Sequence, residues 1–230
     1  MRNKTIKEMT MYAMFIAILA ILSFTPLGYL SIGAVSFTII HIIVLIAAFT
    51  FGVKGGVITG LVFGVFSMLR AIVAPNTLAD LIFRNPLVSV LPRVLFGLIA
   101  GLFYELIRKF DGIFIKTSQA KLAKLKNKNS NIDVSEEEKK ETLKNKIKSH
   151  TILGVLSGVA TFLHTIMVLP LMYLIGKNME DTAALFESTA FSALFGGVML
   201  SNGILEIVLA VVIVPLVCLA IAPVVKKQLA

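Results

Sequence analysis

Six stretches of this chain are apolar over lengths close to what a lipid bilayer demands, and nothing else in the sequence restricts its fold as strongly. A hydrocarbon core of about 30 Å takes roughly 20 residues of α-helix. Lipid offers no hydrogen bonds, so each segment must pair its own backbone groups, which a helix does. The runs cover residues 9–27, 37–51, 57–74, 86–107, 152–175 and 191–225. The second is short and the sixth longer than one crossing requires. Composition agrees: 57% of the 230 residues are hydrophobic and 15% charged, against about 45–50% and 25% in soluble domains. Disorder, a disulfide scaffold and an ordinary cytosolic enzyme are excluded. The single cysteine, Cys218, lies in an apolar run and has no partner for an internal disulfide. The first run follows Arg2, Lys4 and Lys7, as a signal peptide would. Ser23-Phe24-Thr25-Pro26 contains no small-x-small cleavage site, so a retained helix is expected.

The net charge of +9 reads as orientation, not as a nucleic-acid footprint. Arg2, Lys4 and Lys7 precede the first run, Lys54 follows the second, and Lys226 and Lys227 follow the sixth. Residues 108–149 carry 12 basic and 6 acidic side chains. The alternate connections hold Asp80 with Arg84, then Lys177 against Glu180, Asp181 and Glu187. Lys and Arg favour the cytoplasmic side, and an even number of helices puts every basic segment there. The expectation is an all-α membrane protein, a six-transmembrane-helix bundle with both termini cytoplasmic. It forms one membrane domain over residues 1–230. Residues 108–149 form a basic cytoplasmic insert between the fourth and fifth helices, a hairpin or amphipathic helix without chemistry of its own.

Ionisable and amide side chains inside such runs are expensive and point to function. On this topology His41 lies about one turn below the outer end of the second helix and Asn85 caps the fourth from outside. Arg93 sits about two turns below that cap. His164 is mid-way along the fifth helix beside Thr165, and Asn202 and Glu206 stand one turn apart on the sixth. Arg70 is near an outer end, and Glu105 reads as a solvated inner end. Polarity of both signs therefore gathers in the outer half, which predicts a cavity open to the outside. Interhelical hydrogen bonding is the competing explanation for any one residue. Pro75-Asn76-Thr77, Asn85-Pro86 and Pro92 bend or cap the outer ends, and Pro92 releases a backbone carbonyl beside Arg93. Residues 29–36 supply a first outer loop able to lie over the cavity. Small residues recur at spacing four: Ala13 and Ala17, then Gly56, Gly60 and Gly64, Gly97 and Gly101, Gly154 and Gly158. The glycines suit close helix packing; Ala13 and Ala17, on a helix poor in polar groups, suit a protein partner.

The chain has no G-x-x-x-x-G-K-[ST] for ATP, and no H-E-x-x-H or Cys/His cluster for a metal. No cofactor is expected. An intramembrane serine protease is the enzyme alternative, through Ser157-Gly158. Its only base on that helix, His164, lies two turns away, outside hydrogen-bond reach.

Four segments resemble the substrate-binding S components of energy-coupling factor (ECF) vitamin transporters. They are Ala13-x-x-x-Ala17; Phe37-Thr38-Ile39-Ile40-His41-Ile42; Phe51-Gly52-Val53-Lys54-Gly55-Gly56 with Gly60-Leu61-Val62-Phe63-Gly64 and Ser67-Met68; and Asn85-Pro86-Leu87-Val88-Ser89-Val90-Leu91-Pro92-Arg93. The last, with Asn202-x-x-x-Glu206, is most similar to the pantothenate-specific type. Leu163-His164-Thr165 stands where that type has Thr-Asn-Thr, and hydroxymethylpyrimidine or pyridoxine is the alternative substrate. The absence of Trp speaks against thiamine. The resemblance implies a subunit without its own ATPase site that captures a vitamin outside, docks through Ala13 and Ala17 onto a transmembrane T component with two ATPases, and topples to deliver it. It implies substrate binding by His41, Asn85, Ser89, Arg93, His164, Asn202 and Glu206. Arg93 is expected on a carboxylate, for which guanidinium offers a bidentate fork.

Overall fold

The computed structural model describes residues 2–32, 35–75, 78–128, 134–183, 186, 196–197 and 202–229. Six α-helices are found among them: α1 Arg2–Phe24, α2 Ile40–Val73, α3 Pro86–Ser89, α4 Leu91–Lys128, α5 Val134–Gly176 and α6 Ile204–Leu229. All but the four-residue α3 are long and apolar enough to cross a membrane, which makes five candidate spans. The architecture is all-α apart from one short antiparallel hairpin, β1 Tyr29–Ile32 with β2 Val35–Thr38, in which Tyr29 faces Thr38. The segment expected as the first outer loop thus carries two paired strands, on either side of residues 33–34. The start of the sixth run, at Phe191, and Glu187 lie outside the described residues.

The second and third runs, expected as separate helices, are joined in α2, and Gly52 explains how. Its backbone stands at φ 69° and ψ −152°, a region open essentially to glycine alone. The chain doubles back there. A methyl built on Gly56 would stand 3.1 Å from the Ala48 Cβ, whereas a straight helix separates such residues by about 12 Å. The arm after Gly52 runs antiparallel to α4, backbone against backbone. Methyls placed on Gly56, Gly60 and Gly64 would fall 2.0 Å from the Gly97 carbonyl oxygen, 2.4 Å from that of Arg93 and 2.7 Å from the Val90 Cα. The spacing-four glycines are the contact surface that lets these helices touch.

α1 lies at the edge of the bundle. Met11, Phe15, Leu19 and Leu22 face inward, and Tyr12 packs its ring 4.7 Å from that of Phe51. Ala13 and Ala17 lie on the exposed side, about 180° around the helix.

Residues 108–128 and 134–149 are helical. The fourth run breaks at Val90 into α3 and α4, and α4 then continues to Lys128, while α5 begins at Val134. Ser118 donates to Glu141 Oε2 at 3.2 Å, Lys121 to Glu141 Oε1 at 2.5 Å, and Asn145 Nδ2 to Ser118 Oγ at 2.9 Å. The two helix extensions are zipped by this polar cluster.

Candidate functional site

Proline chemistry builds the centre of the site. Pro92 has no N–H, so the Val88 carbonyl four residues earlier cannot receive its helical hydrogen bond. The Arg93 guanidinium takes that oxygen, Nη1 donating at 2.5 Å. The same guanidinium lies 4.9 Å from the centroid of the Phe83 ring and 5.5 Å from that of Phe63. Arg93 is 6% exposed. Such a cation in an apolar surround is held by its carbonyl and by ring faces, each worth about 2 kcal/mol where water is absent.

Asn85 and Ser89 prepare this arrangement. Asn85 is the N-cap of α3, its Oδ1 accepting from the Leu87 N–H at 2.9 Å. Ser89, fully buried, donates its hydroxyl to the Phe83 carbonyl. That bond ties the 3-10 segment Leu78–Arg84 to α3 and places the Phe83 ring over Arg93. Both residues, expected as ligand contacts, have their side chains committed to local backbone.

His164 and His41 flank a common ring. The Phe96 centroid lies 4.8 Å from that of His164 and 6.4 Å from that of His41, while Phe63 lies 6.4 Å from His164. Arg93 and His41 are close enough to act electrostatically on His164, as is Glu206 on His41. His41 is 1% exposed and His164 8%. Both ring nitrogens of His41 and Nε2 of His164 are buried without a well-formed hydrogen bond among the described residues. For His41 the backbone of Thr38 and Glu206 lies close by. Leaving such atoms unsatisfied costs about 1–3 kcal/mol each, and native proteins keep few of them without a reason.

Glu206, half-buried at the start of α6, accepts at Oε1 from the Thr38 backbone N–H at 2.8 Å and from its hydroxyl at 3.1 Å. Asn202, half-buried, sits in the π-helical turn that leads into α6. The fold therefore gathers Arg93, His164, His41 and Glu206 from α4, α5, α2 and α6, along a line running past Phe96. Ala13 and Ala17 lie apart, on the outer face of α1. Phe63, Phe83 and Phe96 escape a reading of polar residues, because an aromatic in a membrane run looks like any other apolar side chain. Ser157, the one residue with a nucleophile-like context, donates its hydroxyl to the Leu153 carbonyl at 2.7 Å on its own helix.

Over 110 residues the chain is 34% identical to the pantothenate transporter PanT of Leuconostoc mesenteroides subsp. mesenteroides, an overlap covering 46% of this chain and 54% of that protein. It thus spans about half the length of the curated relative it matches. The family model for the ECF transporter substrate-specific component matches residues 7–218, which reaches into all five candidate spans and contains three of them whole. A buried polar line inside a multi-pass bundle of the cell membrane is the setting such a component needs, and the chain belongs to the family of substrate-specific components of ECF transporters.

Proposed function

We propose that this chain captures pantothenate from outside the cell and delivers it through an ECF-type ABC importer, docking to a T component bound to two ATPases. The observation that carries the substrate is the pairing of a buried guanidinium, Arg93, with buried imidazole nitrogens that make no well-formed hydrogen bond among the described residues. A pantothenate carboxylate suits Arg93 and His164; its hydroxyl and amide groups suit His41 and Asn202 along the Phe96 ring. The relative's printed substrate supports the same choice. Asn85 and Ser89 shape the site by fixing α3 and Phe83.

Counting the two arms of α2 as separate crossings on either side of Gly52 gives six spans and both termini on one side. The Lys and Arg distribution makes that side cytoplasmic. It also places the extensions of α4 and α5 there, as a basic helical insert on a single membrane domain. The exposed Ala13-x-x-x-Ala17 face of α1 is the docking surface, since two small side chains let a partner helix approach closely.

Isothermal titration of the purified protein with pantothenate, hydroxymethylpyrimidine and pyridoxine tests the reading. Pantothenate is expected to bind, and Arg93→Gln to weaken it by about 10–100-fold, the worth of a charge-assisted hydrogen bond. Binding of either neutral ring compound in its place, with Arg93→Gln indifferent, establishes the alternative substrate instead.

A further inference from the structure

We infer that Glu206 is a positioning residue, which ties the chain entering α2 to the start of α6 and so holds the first turn of α2, with His41, in place. The inference goes beyond the proposed vitamin site, and only its binding readout rests on that proposal. The N-cap of α2 is Ile39, whose side chain makes no capping hydrogen bond. Thr38, two residues before α2, leads the chain into the helix, and a half-buried backbone N–H there needs an acceptor. Here an acceptor arrives from a residue 168 positions away: Glu206 Oε1 takes both the N–H and the hydroxyl of Thr38, just before the cap.

The same carboxylate lies in the first turn of α6. One side chain on the first turn of α6 therefore holds the residue that leads into α2. Thr38 is also the last residue of β2, paired with Tyr29, and Ile39 donates to the Gly28 carbonyl at 3.2 Å. The base of the hairpin, the start of α2 and the start of α6 thus meet at one carboxylate oxygen. His41 lies in the first turn of α2, just beyond Thr38 in the chain, and is within electrostatic reach of Glu206. Losing the tie releases the helix start that presents the imidazole.

The test compares Glu206→Ala, Glu206→Gln and Thr38→Val in purified full-length protein. The first readout is amide hydrogen exchange over residues 38–45 without vitamin, which needs no assumption about substrate. Glu206→Ala is expected to speed exchange there by about 10–100-fold, the range for a hydrogen bond to a charged group. Glu206→Gln keeps an oxygen for both Thr38 donors, so it should stay within about threefold, the scale of a lost helix-end charge. Thr38→Val removes only the hydroxyl and should fall between. The second readout is pantothenate dissociation. It should quicken in Glu206→Ala, with the Glu206→Ala/Thr38→Val pair no worse than Glu206→Ala alone. Unchanged exchange in Glu206→Ala overturns the inference, as does exchange in Glu206→Gln equal to that in Glu206→Ala. Should Glu206→Ala not fold, Glu206→Gln and Thr38→Val decide: no change in Thr38→Val, or a Gln variant faster than the Val variant, refutes the tie. Failure to bind any vitamin while exchange follows the expected order overturns the substrate proposal and leaves the Glu206–Thr38 tie standing.

Discussion

Replacing Gly60 by Ala puts the helix contact beneath Arg93 to a direct test. The new methyl would stand 2.4 Å from the Arg93 carbonyl oxygen and 3.2 Å from its carbon. Ordinary carbon contacts begin near 3.5 Å, so the two helices must part by about 1 Å. The blocking atoms are backbone, and no rotamer change relieves them. Overpacking of this kind costs about 1–3 kcal/mol. The better helix propensity of Ala returns about 0.5–1 kcal/mol, leaving a net loss on the order of 1–2 kcal/mol. Because the carbonyl belongs to Arg93, the displacement also reaches the guanidinium and its place between Phe63 and Phe83. Gly112→Ala supplies the control: nothing lies within 4 Å of a methyl there, and the helix should gain about 0.5–1 kcal/mol. Reversible unfolding of each variant in mixed detergent, with pantothenate titration alongside, reads both effects. If Gly60→Ala proves as stable as Gly112→Ala and binds as the parent does, the glycine contact does not position the site.

Gly52→Ala forces a side chain into a left-handed backbone conformation and is expected to cost at least about 1–3 kcal/mol, read by the same unfolding assay; a neutral result would mean that the fold-back lies elsewhere. Ala13→Leu with Ala17→Leu should leave pantothenate affinity of the isolated chain unchanged and abolish uptake in cells supplying the other subunits. Retained uptake removes that face from docking. Glu141→Ala should raise amide exchange across residues 114–121, because Ser118 and Lys121 lose their shared acceptor, while vitamin affinity is unaffected. If exchange there does not move, the two extensions are held by something other than this cluster.

Much of the architecture is written in one dimension. Apolar runs of bilayer length, divided by Gly and Pro and flanked by lysines, dictate spanning helices, since lipid leaves the backbone no other way to pair its polar groups. The glycine spacing announces close contact, and Pro92 announces a freed carbonyl, because both are local consequences of what a residue lacks. Where those consequences are satisfied was decided only by tertiary structure. The freed Val88 oxygen goes to Arg93, the glycines of α2 meet α4 rather than another helix, and Gly52 turns two expected helices into one folded element. Ser89 and Asn85 hold backbone, and Glu206 holds Thr38, although all three read alike as polar groups in an apolar run. A sequence records which side chains are costly in lipid. Their partners, drawn here from α2, α4, α5 and α6, are set by the packing of distant segments, which no local pattern encodes.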